Sequence, residues 1–255
     1  MKKLLYLFCA SLLILTSCSK DDSQDSTADN VVLVKKAISN NGTSTDFLEY
    51  GYSGKKLTRI TPSIAGVAFF DFSYDGDLIN GSKRYNGDNV VDFEMVYEYD
   101  SKQRLVTEKT LSKVYSFGEK KVFVYNSDGT IGFTKFSGDL IKQDEIIGTG
   151  TIWLNDEGET IKVEEYQDDA LLSRTEYTYD DKKCIFNNIP AYNKLFLLGE
   201  IAKTHNILTY KAYDNNNVLA YSYSNKYAYN TANYPVSVIT TFKDGTVGTT
   251  DWIYY

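Results

Sequence analysis

The sequence predicts an all-β protein, an antiparallel meander of about 16 to 18 short strands. Three observations point that way. The 255 residues include 22 Tyr, 13 Phe and 2 Trp but only 3 Pro, and aromatic side chains suit the pleated, half-buried surface of a strand. The aromatics recur two residues apart with a small or polar residue between, as in Tyr50-Gly51-Tyr52, Phe72-Ser73-Tyr74, Tyr97-Glu98-Tyr99, Tyr177-Thr178-Tyr179 and Tyr227-Ala228-Tyr229. That spacing puts both rings of a pair on one face of a strand. The runs then stop at turns opened by Asp or Asn, whose side chains bond backbone two residues on.

The elements are taken in chain order. Lys2 and Lys3 precede an apolar run from Leu4 to Leu15, too short for the roughly 20 residues of a membrane-spanning helix. A basic start and a short apolar core read as a secretory signal over residues 1–17. "LTSC", Leu15 to Cys18, resembles the lipobox of bacterial lipoproteins. The resemblance implies cleavage before Cys18, lipid on that residue and a membrane partner held through it. "SKDD", which is Ser19, Lys20, Asp21 and Asp22, resembles the surface-export signal of Bacteroidetes lipoproteins, which implies the outer membrane, facing the exterior. Residues 18–30 are polar with no apolar face and read as a disordered tether. Residues 31–255 read as a single β-hairpin-repeat domain.

Removing residues 1–17 takes away two Lys and no acid, so 27 basic residues fall to 25 against 34 acidic ones, a net charge of −9. An acidic chain without a basic cluster argues against nucleic acid as a partner. Of the three Cys, Cys9 leaves with the signal and Cys18 is the lipid site, so Cys184 has no intrachain disulfide partner. It reads as a small apolar residue within a strand.

Within the domain, repeat units end at Tyr52, Tyr74, Tyr99, Tyr125, Leu154, Tyr179, Tyr213 and Tyr229, each ahead of a turn assigned to one rim of the sheet. A second row of turns falls between them, at residues 40–42, 86–88, 116–119, 137–139, 167–169 and 243–246. Two alternating rows make a meander of hairpins. The first strand, 31–38, enters as half a unit and the last, 248–255, leaves as the other half. Pairing them closes a barrel and removes the edges that invite aggregation; an open curled sheet or solenoid is the alternative. The Tyr face is expected to look inward, because the opposite positions are Glu, Ser, Thr and Lys. Between Phe186 and Ile207 the alternation fails. There Leu195, Leu198 and Ile201 have helical spacing after Asn193 as N-cap, which predicts one short helix near 193–202, either plugging the lumen or lying across a rim.

"VYEYDSKQRLVTEK" resembles the YD repeat of Rhs and teneurin-type surface proteins, Tyr-Asp-x-x-Gly-Arg-Leu, although here the Gly is usually missing. Over nearly the whole chain, the lipobox with "SKDD", the tandem aromatic hairpins and the late "NNIPAYNKLFLLGEIAKTHN" resemble an uncharacterised Bacteroidetes lipoprotein family with a porin-like barrel fold. That family implies a fold and no activity.

Catalytic constellations are nearly absent, and the chain reads as a non-enzyme. His205 is the lone histidine, so no histidine-rich metal site is expected, and no G-x-S-x-G elbow appears. Glu164 and Glu165 are adjacent in a strand and face opposite ways. The acidic turns lack the ligand ladder of a calcium loop. No metal and no cofactor is expected. The lead is the aromatics. Trp153, Trp252, Tyr99 and Tyr179, with His205, are the candidate ligand-binding residues, able to stack on a glycan or peptide. The expected function is a non-enzymatic cell-envelope lipoprotein binding a glycan, a peptide or an envelope partner. An outer-membrane barrel and an exported hydrolase are the alternatives.

Overall fold

The computed structural model describes residues 31–195 and 204–255. The expected signal, tether and lipid site at residues 1–30 lie outside them. Among the described residues sixteen strands form one closed antiparallel barrel. They are β1 (Val34–Asn40), β2 (Thr45–Ser53), β3 (Lys56–Pro62), β4 (Val67–Asp75), β5 (Leu78–Asn86), β6 (Val91–Tyr99), β7 (Leu105–Ser112) and β8 (Phe117–Tyr125). The second half runs β9 (Ile131–Gly138), β10 (Gln143–Leu154), β11 (Thr160–Gln167), β12 (Ala170–Lys183), β13 (His205–Tyr213), β14 (Leu219–Tyr229), β15 (Pro235–Phe242) and β16 (Val247–Tyr254). Every strand pairs with its neighbours in sequence, and β1 pairs with β16, with Ala37 opposite Trp252 and Ser39 opposite Thr250. The Ser39 and Thr250 hydroxyls meet at 2.9 Å, and the Tyr255 N–H donates to the Leu33 carbonyl at 3.0 Å. Closure leaves no strand edge unpaired, so the open-sheet alternative falls away.

The turns explain why the chain reverses where it does. In the β6–β7 hairpin the Asp100 N–H donates to the Arg104 carbonyl and the Gln103 N–H to the Asp100 carbonyl, both at 2.9 Å. The Asp100 carboxylate accepts from the Lys102 and Arg104 N–H groups. Gln103 closes the turn in the left-handed region, φ 57°, the place taken by Gly129, Gly158, Asn217, Asn233 and Gly245 in later turns. It is also the position of the Gly in the YD pattern. A one-residue bulge closes the β6–β7 hairpin, between Glu98 and Tyr99, and recurs in the β10–β11, β13–β14 and β14–β15 hairpins but not in β8–β9 or β15–β16. The bulge lets Tyr99 and Leu105 both face the interior.

Tyr50, Tyr97, Phe123 and Tyr177 are buried on the inner face, as expected of the first aromatic in each repeat. The second aromatic, one step nearer the rim, is pinned by its hydroxyl. Tyr52 donates to Val34 O, Tyr74 to Leu57 O, Tyr99 to Ile79 O, Tyr125 to Leu105 O, Tyr179 to Thr160 O and Tyr254 to Pro235 O, at 2.6–3.0 Å. Each ring lies against the barrel wall and ties its rim to the start of the preceding strand.

Two expectations about the elements need correction. The turn after Tyr213 belongs to the opposite rim from those after Tyr99 and Tyr125, because the chain has already reversed once through residues 184–204. The short helix is, in its described part, a single 3-10 turn, Tyr192–Lys194, preceded by left-handed Ala191. Asn193 lies inside that turn and does not cap it, and residues 196–203 are outside the described residues. The cause is the spacing of apolar residues. Phe186, Ile189, Tyr192 and Leu195 are three apart, and bonds from Ile189 N to Phe186 O, Tyr192 N to Ile189 O and Leu195 N to Tyr192 O have the same period. A period of three eclipses side chains on one face of 3-10 turns. That face is buried in the same cluster as Val34, Tyr50, Tyr97 and Phe123. The segment therefore enters the lumen at the rim where β1 begins. Lys194 Nζ holds it there through Gln103 O at 2.9 Å, and Asn188 Nδ2 through Val32 O at 2.9 Å.

The strands run from 7 to 14 residues, and β10, β12 and β14 are the longest, with 12, 14 and 11. The outer face of the strands mixes exposed apolar residues, among them Val124, Ile239 and Ile253, with paired charges. Lys36–Glu49, Arg59–Asp71, Lys83–Glu94, Lys109–Glu98, Lys162–Glu164 and Arg174–Glu176 are ion pairs on positions that alternate with the buried aromatics.

Candidate ligand cavity in the barrel lumen

A cavity of about 280 Å³ lies between the inner wall and the plugging segment. β2 and β3 supply Leu48, Tyr50 and Ile60; β14 supplies Tyr223, Asn225 and Tyr227; β16 supplies Trp252; Phe186 and Tyr192 form its floor. The rings are ordered by one another. Tyr227 and Trp252 stack at 6.2 Å with their planes 20° apart. Phe186 meets the Tyr50 edge at 5.7 Å and Tyr192 at 4.5 Å. Tyr210 and Tyr223 stack at 5.1 Å, and Tyr221, on the same face toward the far rim, is 43% exposed. The lumen thus meets solvent through an aromatic mouth.

The polar groups of the wall are mostly engaged. Asn225 donates to Ile207 O at 2.9 Å and accepts from Thr240 Oγ1 at 2.7 Å. The Asn206 amide bonds Asp180, Lys182 O and Lys183 O. Tyr50 and Tyr192 differ. Both are about 95% buried, and neither hydroxyl bonds a described residue. Burial raises both phenols above their ordinary pKa, so both are neutral donors and acceptors at physiological pH. Among the described residues no carboxylate, amine or guanidinium lines the cavity.

Of the residues singled out in the sequence, Trp252 lines this cavity. Trp153 stands on the outer wall, opposite Lys162, whose Nζ sits 3.5 Å from the ring centroid. It does not share the lumen with Trp252, because Ile152 takes the inward position beside it. Tyr99 and Tyr179 face inward but commit their hydroxyls to the carbonyls of Ile79 and Thr160. His205 lies at the plugged rim. Its N–H and Nδ1 both bond the Glu159 carboxylate, at 2.8 and 3.1 Å, and Glu159 is 1% exposed. Asp180 accepts from the Asn206 N–H at 3.0 Å and from the Tyr229 hydroxyl. Both carboxylates near His205 therefore hold strand ends in place. Cys184 is fully buried, and burial pushes its thiol up to about 12, which leaves no thiolate nucleophile.

Glu164 and Glu165 face opposite ways, as expected. Glu164 pairs with Lys162 outside, and Glu165 with Lys135 at 3.1 Å inside. Across the lumen from the aromatic cavity, β7 and β8 also turn Glu108 and Lys121 inward. Glu108 is 7% exposed, and burial raises its carboxyl despite the pull of Lys121. Among the described residues no group of three or more His, Cys, Asp or Glu is placed to hold a metal ion.

Sequence reasoning missed Tyr50, Tyr192, Tyr223 and Tyr227 as cavity residues. The Tyr-x-Tyr setting of Tyr50, Tyr223 and Tyr227 marks them as inward but not as lining, and Tyr192 stands in no such pair, since the hollow is set by where the plug stops.

No protein-family description matches the chain, and no curated protein matches it. Among solved structures it is similar to a porin-like protein from Bacteroides uniformis ATCC 8492, with a TM-score of 0.54 at 11% identity over 86% of this chain and 96% of the other. A porin-like protein from Bacteroides vulgatus ATCC 8482 aligns over 88% of this chain and 99% of its own, at 14% identity and a TM-score of 0.47. The first likeness is one of fold, and the fold is a porin-like barrel.

Proposed function

We propose that the protein is a non-enzymatic binding protein of the cell envelope, carried on a lipid at Cys18, whose barrel stands in water and captures a small ligand in its lumen. The observation that carries the reading is the polarity of the wall. A barrel that crosses a bilayer is apolar outside and polar within. This one puts Arg59, Lys83, Lys109, Lys162 and Arg174 with their carboxylate partners outside, and Tyr and Phe within. A Lys or Arg on a lipid-facing wall costs about 2–4 kcal/mol at the midplane. The plug is the second support, since Phe186, Ile189, Tyr192 and Leu195 occupy the interior at the rim where β1 begins.

The outer-membrane barrel is the second reading. The porin-like fold favours it, as do the aromatic C-terminus "WIYY" and the three longer strands. Expression of residues 31–255 without detergent separates the two. A monodisperse soluble barrel supports the first reading, and aggregation that detergent alone reverses supports the second. Neither an enzyme nor a hydrolase is proposed, because the groups around His205 are engaged in holding the rim.

A further inference from the structure

We infer that the lumen cavity takes one neutral, hydroxyl-bearing six-membered ring, a single neutral sugar residue. The inference rests on the reading of the barrel as a water-exposed binding protein. Four features define the class. The stacked Tyr227 and Trp252 present a flat aromatic wall, which suits the apolar face of a saturated ring. The Tyr50 and Tyr192 hydroxyls, both deeply buried, bond no described residue. Neither oxygen is sealed off in dry core: among the described residues the sealed side-chain polar atom without a hydrogen bond is Arg174 Nε, which has its ion pair with Glu176 on the other side of the barrel wall. They are therefore open to the cavity, and each can donate to and accept from a ligand hydroxyl. No charged side chain stands among the described lining residues, which disfavours an ionised ligand, since it would be desolvated without a counter-charge. The volume of about 280 Å³ lies at the lower end of small-molecule pockets and holds one ring.

The geometry assigns the roles. The ring stacks on Trp252 and Tyr227, and two of its hydroxyls replace water on Tyr50 and Tyr192. The ligand is either a free monosaccharide or the terminal residue of a glycan chain, and both present the same ring.

The two tryptophans make the test clean. Trp153 is outside and Trp252 lines the cavity, so Trp153→Phe leaves one reporter in the lumen. The full chain carrying this change is titrated with methyl glycosides of glucose, galactose, mannose and N-acetylglucosamine, with the matching disaccharides, with glucuronic acid and glucosamine, and with indole. The expected result is a saturable change in Trp252 emission with at least one neutral glycoside. The charged analogues should bind at least tenfold more weakly. Tyr50→Phe and Tyr192→Phe should each weaken the neutral glycoside about tenfold, the loss of one buried hydrogen bond, while leaving the melting temperature unchanged. Tighter binding of a disaccharide identifies a glycan end as the source, and equal binding identifies the free sugar. A response to indole alone overturns the inference and makes the cavity an apolar slot. So does the lack of response to every sugar. Insolubility without detergent is a different result, since it overturns the reading on which the inference rests.

Discussion

The Tyr99 hydroxyl donates to the carbonyl of Ile79, twenty residues earlier, at 2.7 Å. The same bond joins Tyr125 to Leu105 and Tyr74 to Leu57, each at 3.0 Å, so the repeat Tyr-x-Tyr-Asp has a mechanical meaning. The first ring fills the interior, the second staples the rim, and the Asp or Asn turns the chain. Tyr99→Phe and Tyr125→Phe are expected to cost about 1 kcal/mol each, read as a lowered denaturation midpoint with an unchanged slope.

The pinned phenols make the barrel sensitive to alkali. Burial raises Tyr74 and Tyr125 to about 12, above the unfolded value of about 10. A folded pKa raised in this way gives stability that is complete below pH 10 and is lost as pH climbs toward 12. Phenolate absorbance and circular dichroism should therefore change together in that window. Phenolate absorbance reaching its full amplitude, beyond the share of exposed phenols such as Tyr115, while the circular dichroism is still native would contradict the assignment.

Gln103 occupies a left-handed position, φ 57°, which costs a side-chain-bearing residue about 1–2 kcal/mol and glycine almost nothing. Gln103→Gly should raise stability by about 1 kcal/mol, while Gly129→Ala, at φ 85°, should lower it. Chemical denaturation of the two variants reads both signs.

Gly150 admits Phe133. A Cβ there would meet Phe133 Cζ at 2.1 Å and the Glu164 carbonyl at 2.5 Å. Gly150→Ala should destabilise by about 2 kcal/mol through overpacking. The smaller ring-free variant Phe133→Leu should recover part of the loss in the double mutant, and strict additivity would show that the two do not interact.

Glu108 faces the lumen near Lys121 and Glu119, and burial holds its carboxyl above the usual range. Its contribution is best when protonated, so it weakens the fold as pH rises through the folded value. Glu108→Gln should raise the melting temperature at pH 7, with the gain vanishing in acid. A loss at pH 7 would mean that the carboxylate is a net stabiliser through Lys121.

Much of the barrel was legible because its signals are local. Period two marks the strands, Asx residues mark the turns, and half-units at residues 31–38 and 248–255 anticipate the β1–β16 seam. The turn after Tyr213 breaks the expected row because a residue ladder carries no rim label: β13 ends on the far rim, and β14 returns the turn after Tyr229 to the first one. The helix expected near 193–202 rests on Leu195, Leu198 and Ile201, and spacing by three fits α and 3-10 geometry about equally over so few residues. Pro190 and left-handed Ala191 decide it. Trp153 and Trp252 looked alike in sequence. Which face each takes depends on bulges such as that between Trp153 and Leu154, which composition does not reveal. The cavity itself was not legible, since it forms where the plug, Tyr50 and β14 fail to meet, and those are distant in the chain.

The central claim is that the outer wall faces water. Trp153 stands on that wall, and Trp252→Phe leaves it as the only indole in the chain. The full-length protein on phospholipid vesicles, with this substitution, is exposed in turn to aqueous iodide and to lipids brominated along their acyl chains. The account expects iodide to quench Trp153 and the brominated chains to leave it unchanged. Quenching by the brominated chains with protection from iodide would place the wall in the bilayer and contradict the account.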